Sequence, residues 1–313
     1  MSGRAEVEGL VLNWCGRTDV GKVRKVNEDS MIELPGLLVV ADGMGGHAAG
    51  DVASRIVIET FASWMDGPGL LPISELSEVI SLANTAVVKE SHHSGREGMG
   101  STVVGMAVVD NGGEAAVVVF HVGDSRCYRV VDGEVELITR DHSHVQELVD
   151  SGEITEAQAV HHPLRNVVTR AVGIDAVVAA DYLVLPEVPH QRLFLCSDGI
   201  SGEIEPERLN ELMLLEQDPQ LVVDAILAEV LAGRAADNAT LVVVDVDHQA
   251  LSSLADPDVT GPRRGIEVPR GSVTTDESAA PPEGLINSVP MVDSIVPPSS
   301  DSTTGELIDQ VPG

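Results

Sequence analysis

The chain has 313 residues, 43% of them hydrophobic, which is enough to bury a sizeable core. Nineteen Lys and Arg against 50 Asp and Glu leave a formal charge of -31, which repels nucleic acid and anionic lipid, so neither is an expected partner. Cys15, Cys127 and Cys196 are too far apart for a CxxC site or a disulfide framework, and neither a signal peptide nor an apolar run of about 20 residues is present, so a cytoplasmic protein is expected.

In chain order, residues 1–9 read as an N-terminal extension and residues 10–248 as the folded domain. LLVVAD (37–42) is a β-branched-rich run closed by an acid and predicts a buried strand. Residues 74–92 place Leu76, Val79, Ile80, Ala83, Val87 and Val88 at helical spacing. STVVGMAVVD (101–110) and EAAVVVFHVGD (114–124) predict two strands joined by Asn111-Gly112-Gly113. Asp132-Gly133 is a second tight-turn pair, so this part of the sheet is expected to be antiparallel. RLFLCSD (192–198) and ATLVVVDV (239–246) predict further strands, and residues 219–231 a second helix through Leu221, Val222, Ala225, Ile226 and Val230. Strands in the middle with helices on either side imply two packed sheets flanked by helices.

Beyond residue 248 the composition changes. Residues 249–313 hold 9 of the 17 prolines, many Ser and Thr, and no aromatic residue. Such a segment buries too little apolar area to offset its ordering entropy, so a disordered tail is expected. Within it, GLINSVP (284–290) and ELIDQVP (306–312) share Leu-Ile-x-x-Val-Pro, a spacing that suits either a docking motif or a chance repeat in a linker.

The acids stand where the apolar runs end. Asp42 follows LLVVA, Asp124 follows VVVFHVG, Asp198 follows LFLCS, and Asp237-Asn238 precedes ATLVVVDV. A single strand-end Asp usually caps a turn, but four together suggest a site. Oxygen ligands without His or Cys suit Mg²⁺ or Mn²⁺, and two such ions about 3.5–4 Å apart activate a water for in-line attack on phosphorus.

RKVNED (24–29), VVADGMGGHAAG (39–50), MGST (99–102), HVGDSRCYRV (121–130), LITRDHSHVQELVDSGEIT (137–155), HPLRNVVTRAVG (162–173), CSDGISGE (196–203) and ADNATLVVVDV (236–246) stand in the order found in bacterial type 2C (PPM) serine/threonine protein phosphatases, which the chain resembles over residues 10–247. The resemblance implies an α+β, four-layer α-β-β-α sandwich. It makes Asp42 the ligand bridging two divalent cations, Mn²⁺ or Mg²⁺, with the Gly43 carbonyl, Asp198, Asp237 and Glu28 completing the set and Asp29 supporting them. Arg24 is implied as the phosphate clamp, a role that suits its planar fork of donors. His47 is implied either as general acid or as organiser of its loop. Asp124 matches a weaker third metal site, but Gly202 stands where many relatives carry an aspartate, with Glu203 beside it.

The implied reaction is direct hydrolysis of phosphoserine and phosphothreonine in proteins by a metal-bridging water, opposite a serine/threonine kinase. An inactive scaffold and a hydrolase of small phosphoesters are the rival readings. Residues from about 140 to 173 resemble the family's flap, with Ser143, Arg165, Asn166 and Arg170 as candidates to contact substrate or support the loop. His142, His144, His161 and His162 read as loop or surface groups.

Overall fold

The computed structural model describes residues 2–45, 49–65, 69–215 and 218–249. In chain order these form β1 (Ser2–Val7), β2 (Leu10–Asp19), β3 (Asp29–Leu34), β4 (Leu37–Met44), α1 (Gly50–Trp64), α2 (Glu75–Ser94), β5 (Gly100–Ser101), β6 (Val103–Asp110), β7 (Ala115–Val122), β8 (Arg126–Val131) and β9 (Glu134–Leu137). There follow α3 (His144–Asp150), α4 (Glu156–Ala159), β10 (Asp181–Val184), β11 (His190–Cys196), α5 (Asp198–Ser201), α6 (Pro206–Met213), α7 (Pro219–Ala232) and β12 (Ala239–His248). Every pairing between strands is antiparallel. One sheet runs β1-β2-β12-β11-β8-β9 and the other β10-β7-β6-β4-β3, with β5 attached to β4.

Residues 1–9 were expected to extend from the domain, but Ser2–Val7 form an edge strand that pairs with Leu10–Cys15. Glu8 and Gly9 both adopt positive φ, the two-residue turn whose twist suits a hairpin. Asp132 and Gly133 do the same between β8 and β9, at φ 51 and 79.

The strand sequences alternate between two cores because successive side chains point to opposite faces. Leu38 and Val40 of β4 face the other sheet with Val104, Met106, Val108, Val242 and Val244. Their neighbours Leu37, Val39 and Ala41 face outward onto α1 and α2, where Phe61 stacks on Phe120 with ring centroids 5.1 Å apart. A third core lies under α5, α6 and α7, filled from β12 by Leu241 and Val243. These three apolar layers between four structural layers make the α-β-β-α sandwich, buried on both faces of both sheets. No helix among the described residues is long and apolar enough to cross a membrane.

Candidate metal centre

The antiparallel registers bring distant acids to one end of the sandwich. Asp42, near the end of β4, lies directly opposite Asp29, which opens β3 after Glu28. Asp198 begins α5 immediately after β11, and Asp237-Asn238 leads into β12 beside it.

Backbone contacts fix these positions. Gly43 N–H donates to the Glu28 carbonyl at 3.1 Å. A Cβ on Gly43 would lie 2.0 Å from the Gly50 carbonyl, so only glycine lets the start of α1 approach this strand so closely. Thr102 N–H donates to the Asp42 carbonyl at 2.8 Å, while Asp42 N–H donates to Thr102 Oγ1 at 3.1 Å. The Met-Gly-Ser-Thr segment therefore acts as a brace for Asp42.

Asn238 supplies the second brace. Its carboxamide oxygen accepts from Glu28 N–H at 2.8 Å and its nitrogen donates to the carbonyls of Val20 and Val26, tying the 20–28 loop to β12. Asp29 is buried and its Oδ2 accepts from Ser197 Oγ at 2.8 Å and Thr240 Oγ1 at 2.7 Å. Sequence reasoning assigned nothing to Ser197, Thr240 or Thr102, whose hydroxyls are common strand residues until the register shows what they face.

Crowded carboxylates resist ionisation here. Burial pushes the Asp42 carboxyl well above its ordinary range, and Asp29, Asp198, Asp124 and Asp237 push it further. Burial and then Asp237 raise Asp198. Asp124 is raised to about 7 by burial and by Asp198, which puts it in the same electrostatic neighbourhood. Asp29 is raised to about 6 by burial, against the pull of its two hydroxyl donors. Its Oδ1 is buried without a hydrogen-bond partner. Such an all-oxygen donor set with one orphaned oxygen and mutually repelling carboxylates fits hard divalent cations.

Arg24 stands at the rim, donating to Asp237 Oδ2 at 2.7 Å and to Glu28 Oε2 at 3.4 Å. Glu203 points elsewhere. Its Oε1 accepts from Ala236 N–H at 3.1 Å and faces Arg234, so it tethers the 234–237 loop rather than replacing the missing aspartate at Gly202. His47 lies outside the described residues, as does the tail with its Leu-Ile-x-x-Val-Pro repeats.

The flap candidates separate. Ser143 caps α3, and Arg165 and Asn166 line a groove beside Asp198. Arg170 turns away to Asp181 Oδ1 at 2.9 Å and His142 Nε2 at 2.8 Å. His142, expected in a loop or on the surface, lies in the loop before α3 but is buried there and stacks on His121. His121, His142 and Asp181 offer ligand atoms within 4.8 Å of one another, and the Arg170 guanidinium is the cation already paired with two of them.

The model of the protein phosphatase 2C family matches residues 25–237. The chain belongs to the protein phosphatase 2C family. It is 39% identical over 242 residues to the serine/threonine protein phosphatase PstP of Mycobacterium tuberculosis, a match covering 76% of this chain and 45% of that relative. Less than half the length of that relative is therefore spanned. The serine/threonine phosphatase stp of Listeria monocytogenes is 32% identical over 242 residues, which cover 74% of this chain and 94% of the relative. Among solved structures, the PstP catalytic domain with two manganese ions superposes with a TM-score of 0.68 at 35% identity, covering 76% of this chain and 99% of that one. Stp1 of Staphylococcus aureus superposes at 0.69 and 31% identity, covering 78% and 98%. The family's two antiparallel sheets flanked by helices are the architecture described above.

Proposed function

We propose that this chain is a metal-dependent protein phosphatase that hydrolyses phosphoserine and phosphothreonine. The observation that carries the reading is the convergence of Asp42, Asp198, Asp237 and Glu28 from four separate elements, with one arginine at their rim. Membership of a family whose relatives include named serine/threonine phosphatases supports it.

Asp42, the Gly43 carbonyl, Glu28, Asp198 and Asp237 would hold two divalent cations, Mn²⁺ or Mg²⁺, with Asp124 available to a weaker third. When bound, such a pair acidifies a water and neutralises phosphoryl oxygens. The chain's own residues do the remaining work. Arg24 is already aimed at the rim and exchanges its carboxylate partners for substrate phosphate oxygens, which its planar donors match in geometry. Asp29, fixed by Ser197 and Thr240, keeps Asp42 in place without competing for substrate. His47, five residues after Asp42 in the sequence, is the proposed general acid for the leaving oxygen. No residue is required as a covalent phosphate acceptor.

Substrate phosphoproteins of a serine/threonine kinase and a cytoplasmic location complete the reading. Its test is phosphate release from a phosphothreonine peptide and from para-nitrophenyl phosphate with and without Mn²⁺. Activity lost in Asp42→Ala, in Asp198→Ala and with chelator is the expected result. A metal-saturated intact protein inactive on both substrates would overturn it in favour of a scaffold.

A further inference from the structure

A groove of ≈ 590 Å³ opens beside the proposed metal centre, with Asp124 and Asp198 at its margin. Its floor is the outer face of one sheet. Arg126 and Tyr128 alternate along β8, Val135 and Leu137 along β9, and the register pairs Tyr128 with Leu137, so all four share that face. One wall is the flap, through Val145, Val149 and Val160. The other is the α5–α6 segment, through Ile204 and Leu209. α7 covers the same face over β12 and β2, whereas the β8–β9 end forms the groove.

Two large aliphatic side chains stand exposed inside it, Leu137 at 43% on the floor and Val160 at 47% on the flap. Surface aliphatics scattered singly are ordinary, but two lining one concavity that begins at the acids favour an apolar ligand attached to whatever reaches those acids. Glu156 and Glu205, also lining the groove, disfavour an acidic one.

We infer that this groove selects substrates: it takes a bulky aliphatic side chain lying within a few residues of the phosphorylated Ser or Thr, and Leu137 and Val160 are the residues that read it. The inference rests on the phosphatase reading and adds a specificity to it. The occupant is a phosphopeptide because the groove is continuous with the centre that would hold its phosphate.

The probe is a set of phosphothreonine nonapeptides, alanine at every other position, with one leucine moved through the four positions on either side. With Mn²⁺, at least one leucine position should raise kcat/KM about tenfold over the all-alanine peptide, the factor that burying one such side chain provides. Leu137→Asp and Val160→Asp should each remove that gain while leaving rates on para-nitrophenyl phosphate and the all-alanine peptide unchanged, which also shows that the variants fold. Leu137→Met should retain it. A flat leucine scan, or a gain surviving in both aspartate variants, overturns the inference. Should the intact protein hydrolyse nothing, fluorescence anisotropy of the same labelled peptides decides the groove separately. Tighter binding of a leucine peptide that is lost in Leu137→Asp upholds the groove and counts against hydrolysis alone, while equal binding of leucine and alanine peptides overturns it.

Discussion

Arg24 Nη2 lies 2.7 Å from Asp237 Oδ2, and the same guanidinium reaches Glu28, so this arginine at the rim is shared between two carboxylates of the proposed cation-binding set. The pair is partly exposed, with side-chain exposures of 46% for Arg24 and 36% for Asp237, so screening keeps its contribution small. The arrangement predicts opposite effects on binding and rate. Arg24→Ala removes an internal competitor for the carboxylates and should tighten Mn²⁺ binding severalfold in calorimetric titration. It also removes the phosphate clamp and should lower kcat/KM by roughly a hundredfold. Weaker Mn²⁺ binding in this variant would show that Arg24 orients the ligands instead of competing for them.

Gly43 and Gly50 pack backbone to backbone, and each would drive a Cβ into the other's carbonyl, at 2.0 Å for Gly43 and 2.5 Å for Gly50. Nothing flexible is available to give way. Gly43→Ala and Gly50→Ala should each destabilise the protein by about 2 kcal/mol or more, as overpacking against a rigid wall does. Thermal melts would register this as a Tm lower by several degrees. Mn²⁺ binding should weaken in parallel, because the same contact sets the Gly43 carbonyl against Glu28 and the start of α1.

Much of this fold was legible because strand and turn signals agreed. LLVVAD became β4, the Asp132-Gly133 pair became a hairpin, and the 219–231 periodicity became α7 with Asp218 as its N-cap. Strand-end acids were visible as well, since an acid closing a β-branched run is an anomaly that sequence alone displays. β1 was missed because Ser2–Val7 alternates half-buried and exposed residues around the charged Arg4 and Glu6 and gains its order from β2. Helix α1 was missed because Val52, Ile56, Val57, Ile58 and Thr60 are β-branched, and its helical state depends on packing against β3 and β4. The hydroxyl braces at Thr102, Ser197 and Thr240 join residues between about 43 and 211 positions apart, a relation that no local pattern carries.

Without metal, stability should depend on pH in a direction set by the crowded acids. Asp29 and Asp124 hold protons up to about 6 and about 7 in the folded chain, and burial raises Asp42 well above its ordinary range as well. Unfolded carboxyls release theirs near 4. Between those values the folded state binds more protons, so stability falls as pH rises from about 4 through 7. His121 acts oppositely: burial and then His142 lower it to about 4, so its neutral folded form costs stability as pH drops below about 6.5. His142 is lowered too, by burial and then by Arg170, and several acids against these two histidines give the expected net result, a higher Tm at pH 5 than at pH 7.5 in chelator. Asp124→Asn should flatten that dependence, and saturating Mn²⁺ should reverse it, because the cation binds the deprotonated carboxylates.

Asp141 offers a test of how the flap is held. Arg126 of β8 donates to it from Nε at 3.0 Å and from Nη2 at 2.7 Å, a two-pronged pair with Asp141 only 10% exposed. The contact is the charged link between the sheet and the segment that forms one wall of the groove. Asp141→Ala leaves the Arg126 guanidinium half-buried with Tyr128 Oη as its remaining side-chain partner at 3.4 Å. Loss of a charged hydrogen-bonded partner of this kind costs about 1–3 kcal/mol, which for a domain of this size is a Tm lowered by roughly 2–10 °C. The loosening should be local before it is global. Limited proteolysis is expected to cleave Asp141→Ala between residues 140 and 173 at temperatures where the remainder of the domain stays protected. Cleavage spread evenly over the domain would mean that Arg126 and Asp141 stabilise the sandwich as a whole and do not latch the flap.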